Sequence, residues 1–123
     1  RVVLTGFVGE DYLPALYSGA KLFLYPSFYE GFGIPLLEAQ SCGVPVVAGN
    51  ASSIPEVVGR SASLFDPNDV DQMTSQVIDL LNNENLHREL VERGFENVKK
   101  FSWEKCARET LTVFEKVANK YDS

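Results

Sequence analysis

The sequence predicts an α/β fold in which a doubly wound parallel sheet is covered by helices on both faces. Three observations support this prediction. Short runs rich in β-branched and aromatic residues alternate with longer stretches whose apolar residues recur at helical spacing. Glycine-rich or polar loops follow these runs, as they do at the carboxyl ends of parallel strands. The 123 residues, 45% of them hydrophobic, are enough for one domain with one sizeable core.

Four strands are predicted at residues 2–5, 21–25, 45–48 and 62–65. Each is a short, largely continuous apolar run, which is typical of a strand buried on both faces of a parallel sheet. The first run opens the chain abruptly and is followed by a glycine-containing exit loop at residues 6–9. These runs therefore define the predicted sheet.

Helices are predicted between the strands and after the last one. The first ends at Gly19, a residue suited to a helix C-terminus, and its apolar face consists of Tyr12, Leu13, Leu16 and Tyr17. The helix after the fourth strand has an apolar face formed by Val70, Met73, Val77, Leu80 and Leu81. Another begins after Asn83 and carries His87, which is interpreted as a solvated helix residue because its neighbours are charged.

The final helix is predicted to begin at Ser102, and its apolar stripe is wider than a helix at the edge of one small domain needs. The stripe consists of Trp103, Cys106, Ala107, Thr110, Val113, Phe114 and Val117. We therefore expect part of this stripe, with Trp103 and Phe114 first, to remain exposed in this chain.

Residues 27–38 carry the chemistry that the rest of the chain is predicted to support. This stretch runs from a loop containing Glu30 into a helix containing Glu38. Gly31 and Gly33 leave the loop backbone bare of side chains, and Pro35 suits the first helical position because its missing N–H costs nothing there. A helix is therefore predicted to begin near residue 34.

The unpaired N–H groups and the positive dipole end of this helix favour the binding of an anion, above all a phosphate. Glu30 lies just before that pocket, and Glu38 lies about one turn into the helix, within reach of ribose hydroxyls. The arrangement fits a sugar nucleotide. For Glu38 alone, an acid that simply complements the helix dipole is about equally expected, but this alternative does not explain the whole stretch. A dinucleotide-binding fingerprint would need glycine at Leu36.

The loop at residues 49–53 leaves the same edge of the sheet, so its hydroxyls are candidates for contact with a ligand. Ser53 is nevertheless interpreted as the N-cap of a short helix, with Glu56 as a dipole-complementing acid in the first turn. Three aromatic residues beside the motif are expected to pack in the core rather than against a ligand: Tyr25, Phe28 and Tyr29.

The charge balance argues against some classes of function. Lys and Arg number 11 against 17 Asp and Glu, a net charge of −6, which is the wrong sign for binding nucleic acid or an anionic membrane by overall charge. Cys42 and Cys106 lie far apart without a metal-ligand spacing, so they are interpreted as reduced core thiols and no metal site is expected. No signal peptide or apolar run of about 20 residues is present.

The motif resembles the E-x7-E signature of retaining glycosyltransferases of family 4, which have two facing Rossmann-like domains, the GT-B arrangement. Glu30 and Glu38 stand at this spacing. The resemblance continues through residues 39–47 and 52–59 and covers the whole chain more loosely. It is specific for the family and much less specific for the sugar.

This resemblance implies a role for each motif residue. Glu30 would be the catalytic carboxylate beside the donor sugar, and Glu38 would hold the ribose. The other donor-binding residues would be Gly31, Phe32, Gly33, Ile34, Leu37 and Val8. For Phe7, contact with the nucleobase and packing in the core are about equally expected.

The implied reaction is transfer of a mannose or glucose-like sugar from a nucleoside-diphosphate sugar to an acceptor hydroxyl, with retention. GDP-mannose or a UDP-sugar is the expected donor. No cofactor or metal ion is expected, since helix N–H groups and basic side chains would stabilise the diphosphate. Two carboxylates are also typical of glycosidases, but a phosphate pocket between them argues against hydrolysis. A cytoplasmic enzyme, at most peripheral to a membrane, is expected.

The resemblance also implies that residues 1–123 form a single domain, the C-terminal part of a nucleotide-sugar-binding domain. The complete sheet would have the order 3-2-1-4-5-6, and this chain would supply the last four strands, leaving its first strand without neighbours. The acceptor domain, the basic phosphate clamp and any membrane contact would lie outside this chain, which alone would transfer nothing. A non-catalytic nucleotide-binding or docking module is the alternative function.

Overall fold

The computed structural model describes residues 1–121, which contain three strands and six α-helices. The strands are β1 (Phe23–Tyr25), β2 (Val46–Gly49) and β3 (Ala62–Phe65). The helices are α1 (Leu13–Ser18), α2 (Ile34–Ser41), α3 (Ile54–Val58), α4 (Val70–Asn82), α5 (Glu84–Val98) and α6 (Trp103–Tyr121). A short 3-10 helix (Glu10–Tyr12) precedes α1.

The strands form one parallel sheet in the order β1-β2-β3. Phe23 pairs with Val46, and Val46 pairs with Ala62 on its other side. Each connection between successive strands contains a helix, as parallel pairing requires. All four residues of β2 are buried, because this central strand has a neighbouring strand on each side and an apolar cluster on each face. The predicted α/β class is confirmed.

The predicted first strand is wrong. Residues 2–5 have no regular secondary structure, and Val2 and Leu4 are exposed. Backbone N–H and C=O groups of a strand need a partner strand, and the sheet in residues 1–121 pairs none with this segment. Phe7 in the following loop is 95% exposed, so the expectation that it packs in the core is also wrong.

The sheet separates two apolar clusters, as helices on both faces require. Successive side chains of β2 alternate between them: Val46 and Ala48 join one cluster and Val47 joins the other. The first cluster contains Leu36, Ala39, Val44, Ile54, Val57 and Val58 from α2, α3 and the segment before β2. The second contains Phe65, Leu80 and Leu90 from β3, α4 and α5. The motif helix α2 is therefore fixed by the core along its whole inner face.

Helix α5 contacts the segments that precede the strands. A ring nitrogen of His87 lies 3.1 Å from the Lys21 carbonyl oxygen, just before β1, so this histidine is not the fully solvated residue that the sequence predicts. Phe95 packs against Gly43, before β2, where an added Cβ would lie 3.0 Å from the Phe95 Cζ. Helix α5 therefore does not cover the carboxyl ends of the strands, where the motif loop begins.

A buried polar network joins α5 to α2 and α3. Asn97 donates from its Nδ2 atom to the Gln40 side-chain oxygen at 2.9 Å and to the Val57 carbonyl oxygen at 3.0 Å. Gln40 in turn donates to the Ser61 hydroxyl at 2.7 Å. All three side chains are buried. Gly94 makes this approach possible, since an added Cβ there would lie 3.2 Å from the Gln40 Cγ.

Helix α6 has no buried residue within residues 1–121. Trp103 is 79% exposed and Phe114 is 65% exposed, which confirms that the stripe is not covered by this domain. Cys106 on the same helix is exposed and Cys42 is half-buried, and neither forms a disulfide. The interpretation of Cys106 as a core thiol is therefore wrong: helical spacing places it on an apolar stripe, but the stripe faces outward.

None of the helices in residues 1–121 combines the length and the apolar composition that a membrane span requires.

Candidate functional site

The candidate site lies where the loops leave the carboxyl ends of β1 and β2. The loop after β1, residues 26–33, contains the predicted motif glycines, and the loop after β2 contains Ser52 and Ser53. The first loop packs directly on the end of the second strand: an added Cβ at Gly49 would lie 2.7 Å from the Ser27 carbonyl oxygen. Only glycine allows this approach.

We expect Gly49→Ala to destabilise the motif loop, because a methyl group at that position must displace backbone rather than a flexible side chain. The expected cost is about 1–3 kcal/mol. Hydrogen exchange of the full-length protein, followed by mass spectrometry, should show faster exchange in residues 26–33. Gly9→Ala is the matched control, since its new methyl would lie 3.7 Å from the Tyr12 ring. Equal exchange in the two variants would show that the loop does not depend on this contact.

The backbone of Glu30 is held by two serines on the neighbouring loop. Glu30 donates its N–H to the Ser52 hydroxyl oxygen at 2.8 Å, and the same hydroxyl donates to the Glu30 carbonyl oxygen at 3.0 Å. Ser52 has a positive φ of 45°, a strained backbone for a residue other than glycine. Such strain is typical of functional sites, and here it places the hydroxyl where both Glu30 backbone groups can use it.

Ser53 completes this attachment instead of capping α3. Its hydroxyl lies 3.0 Å from the Glu30 carbonyl oxygen and 3.1 Å from that of Phe32. The expected side-chain cap is wrong, because Ser53 already has a helical backbone and its hydroxyl accepts no hydrogen bond from the first turn. Glu56 lies in that first turn, as expected for a dipole-complementing acid.

Glu30 is half-buried, and its carboxylate accepts hydrogen bonds. Ser27 donates to its Oε1 atom at 2.7 Å. The hydroxyl of Tyr25 has the larger effect and Ser27 the next, and together they hold the pKa of Glu30 below its ordinary value. Burial and the proximity of Glu30 raise the pKa of Tyr25. Glu30 is therefore an ionised acceptor at neutral pH.

Removing these donors should raise the pKa of Glu30, more in Tyr25→Phe than in Ser27→Ala. Because the pKa is lowered in the folded protein, the stabilising effect is present at neutral pH and is lost as the pH falls through the lowered value. The carboxyl carbon of Glu30, followed by NMR against pH, measures the shift. Ser75→Ala, an exposed position on α4, is the control, and an unchanged titration in Tyr25→Phe would contradict the assignment.

The turn into α2 depends on Gly33. Its φ is 98°, and an added Cβ would lie 2.8 Å from the Leu36 side chain, so no other residue fits without displacement. Pro35 occupies the first turn, as predicted. The helix begins at Ile34, also as predicted, and no side chain caps its N-terminus. Pro35 has no N–H and Leu36 donates its N–H to the Gly33 carbonyl oxygen at 3.0 Å, so the Ile34 N–H is the group at the start of α2 that is available to an anion.

Glu38 lies on α2 and is half-buried. Its Oε2 atom accepts a hydrogen bond from the Tyr17 hydroxyl at 3.1 Å. Burial, followed by this hydrogen bond, raises the pKa of Tyr17 to about 12. The Glu38 carboxylate is therefore held by a phenol from a distant part of the chain, whereas the Glu30 carboxylate is held by the nearby Ser27 and Tyr25.

The remaining predicted donor-binding residues lie in different surroundings. Gly31, Phe32 and Ile34 are exposed along the loop and the start of α2, and the Phe32 ring packs edge-on against Phe101 at 5.8 Å. Leu37 is half-buried and packs on the first apolar cluster. Val8 is half-buried in the segment before the 3-10 helix, and no hydrogen bond of this site, within residues 1–121, involves it.

Two aromatic residues beside the motif are not in the core. Phe28 is 65% exposed and Tyr29 is 81% exposed, so the expectation of core packing is wrong for both. They lie in the loop beyond the end of β1, where the sheet no longer provides a surface to cover them. Tyr25, the last residue of β1, does pack against the first apolar cluster, as expected.

Sequence reasoning missed Tyr17, Gly49 and Ser52 as residues that hold the site. Tyr17 and Ser52 lie 21 and 22 positions from the glutamates they contact, so no local pattern marks them. A signal existed only for Gly49, a glycine at the carboxyl end of a strand. Residues 1–121 place no group of three or more His, Cys, Asp or Glu side chains where it could hold a metal ion.

A family model described as "Glycosyl transferases group 1" matches residues 1–97. The O-antigen chain mannosyltransferase B of Escherichia coli is 46% identical over 109 residues, 89% of this chain. The serotype-specific mannosyltransferase WbdA of Escherichia coli is 38% identical over 114 residues, 93% of this chain. The chain spans 29% and 14% of the length of these two relatives.

The fold is similar to that of a solved glycosyltransferase structure. Sucrose-phosphate synthase from Thermosynechococcus elongatus superposes with a TM-score of 0.85 at 28% identity, over 98% of this chain and 31% of the other. The helices and parallel strands described above therefore correspond to part of a larger structure of the same type.

Proposed function

Because this chain belongs to the glycosyl transferases group 1 family, we propose that its site binds the nucleoside-diphosphate sugar from which the full-length protein transfers a glycosyl group. The observation that carries the proposal is the arrangement of two separately held carboxylates on either side of an uncapped helix N-terminus. Glu30 is held before α2 by Ser27 and Ser52, and Glu38 is held within α2 by Tyr17.

In this proposal each group acts on a different part of the donor. The backbone N–H groups of Gly31 to Ile34 bind the sugar and diphosphate, and their fixed orientation stabilises the charge that develops on the leaving diphosphate. Basic side chains from outside residues 1–123 also stabilise the charge on the leaving diphosphate, and no metal ion is required. Glu30 supports positive charge that develops on the sugar ring, and Glu38 accepts hydrogen bonds from the ribose. The configuration at the anomeric carbon is retained.

Mannose is the sugar we propose, with GDP-mannose as donor and a UDP-sugar as the alternative. The names of the two Escherichia coli relatives, both mannosyltransferases, support this choice. Incubating the full-length protein with a set of nucleotide sugars and measuring release of the nucleoside diphosphate identifies the donor. Binding of a nucleotide sugar without any turnover would favour the alternative, a non-catalytic nucleotide-binding or docking module.

The ribose assignment predicts that Glu38→Ala weakens binding of GDP or UDP to the full-length protein. A lost hydrogen bond to a charged acceptor is worth about 1.5–3 kcal/mol, which corresponds to about a 10- to 150-fold increase in Kd. Isothermal titration calorimetry measures this increase in Kd. Glu84→Ala removes an equal charge from the first turn of α5, where Glu84 and Lys21 line one cavity before β1, and should leave Kd unchanged. An unchanged Kd in Glu38→Ala would contradict the assignment.

A further inference from the structure

Tyr17 connects α1 to the motif helix through a hydrogen bond. Its hydroxyl donates to the Oε2 atom of Glu38 at 3.1 Å, and the two residues are 21 positions apart. Within residues 1–121, this is the one side-chain hydrogen bond that the Glu38 carboxylate accepts. The other carboxylate oxygen, Oε1, is thereby left for a ligand.

The Tyr17 ring is fixed by the core, so its hydroxyl is a defined point rather than a mobile group. The ring packs edge-on against Phe23, with centroids 5.3 Å apart and an angle of 81° between the planes. Phe23 in turn stacks on Tyr25 at 5.7 Å. Tyr17, Phe23 and Tyr25 all pack on the first apolar cluster. This aromatic row starts at the residue that contacts Glu38 and ends at the residue beside Glu30.

The direction of the hydrogen bond is also defined. Burial raises the pKa of Tyr17 to about 12, and the hydrogen bond to Glu38 contributes to the shift. The phenol therefore keeps its proton at neutral pH and donates it, while the carboxylate accepts.

We infer that Tyr17 is a positioning residue for Glu38: it occupies Oε2 and thereby orients Oε1 toward the ribose hydroxyls of the bound nucleotide. The inference rests on the proposed function, since it names the residue that sets the geometry of the ribose contact. Without the phenol, the carboxylate can rotate about its terminal torsion, and part of the donor affinity must then restore its orientation.

The test compares nucleotides with and without ribose hydroxyls. GDP and UDP, and their 2′,3′-dideoxy forms, are titrated into the full-length protein and its Tyr17→Phe variant by calorimetry. Phenylalanine keeps the ring and its packing on Phe23, so only the hydrogen bond is removed. We expect Kd for the cognate ribonucleotide to rise about 3- to 10-fold. The dideoxy form should bind the two proteins equally, because it has no hydroxyl for Glu38 to accept.

Controls separate positioning from general damage to the fold. Tyr121→Phe removes an exposed phenol from α6 and should leave the Kd of the ribonucleotide and the Kd of the dideoxy form unchanged. In the Glu38→Ala background, Tyr17→Phe should add no further loss, because the carboxylate through which it acts is gone. A Tyr17→Phe variant that loses affinity equally for both forms of nucleotide would overturn the inference, because that pattern belongs to a structural role alone.

Failure of the inference can be told apart from failure of the proposed function. If Glu38→Ala weakens ribonucleotide binding and Tyr17→Phe does not, the positioning role is wrong and the proposed function stands. If Glu38→Ala also has no effect on ribonucleotide binding, the ribose assignment itself is wrong, and so is the positioning role of Tyr17 that depends on it.

Discussion

A full-length protein carrying Glu30→Gln is expected to turn over the proposed nucleotide-sugar donor about 100-fold more slowly, the magnitude typical of losing one preorganised electrostatic group. Its donor affinity should be nearly unchanged. Glutamine preserves size and can still accept the hydrogen bond from Ser27, so the variant removes the negative charge and little else. That charge matters most as positive charge grows on the sugar ring, hence the effect on kcat rather than on Kd.

Steady-state kinetics and donor titration together measure this prediction. The backbone contacts of Glu30 with Ser52 do not involve the substituted side chain, so the loop should keep its position. Glu84→Gln, on α5, is the control for loss of one negative charge and should retain full kcat. Equal losses in donor binding and kcat/KM, with kcat intact, would assign Glu30 to binding alone.

Asn97→Ala should have the largest effect on stability. The substitution leaves two buried acceptors, the Gln40 side-chain oxygen and the Val57 carbonyl oxygen, without the donor they share. Each unsatisfied group costs about 1–3 kcal/mol, so local unfolding of the domain should become easier by about 2–6 kcal/mol. Faster amide exchange in the central strand β2 of the full-length protein is the expected observation.

The matched control lies on the same helix. Asn85 is exposed, and its side-chain oxygen accepts a hydrogen bond from Arg88. Asn85→Ala should change the free energy of opening by no more than about 0.5 kcal/mol. Exchange rates in β2 that rise equally in both variants would mean that the buried network contributes little beyond the apolar core.

Local chemistry explains what could be predicted from the sequence. Gly33 and Pro35 define the start of α2 through backbone conformation alone, and this start is where they place it. Strands β2 and β3 were predictable because they are fully or mostly apolar runs that pair within the sheet, β2 with a strand on each side and β3 with β2. Positions 2–5 have a similar composition but no partner strand in residues 1–121, and they are not a strand.

Contacts between distant segments explain what could not be predicted. The hydrogen bonds between the Ser52 hydroxyl and the Glu30 backbone depend on the positive φ of Ser52. Serine rarely adopts this conformation, and no sequence pattern predicts it. The expected Ser53 cap is a sound local interpretation, but two carbonyl groups from the motif loop compete for the same hydroxyl. Phe28 and Tyr29 show the same limit, since aromatic character predicts burial only where a neighbouring surface exists.

The exposure of α6 has a thermodynamic consequence of its own. A helix with no buried residue draws its stability from within: the Ser102 hydroxyl accepts the Lys105 N–H, and Arg108 pairs with Glu104 one turn away. Such contacts are worth a few tenths of a kcal/mol to about 1 kcal/mol each. Within this chain we therefore expect α6 to follow a helix–coil equilibrium and to melt gradually on heating, apart from the cooperative transition of the sheet and its packed helices.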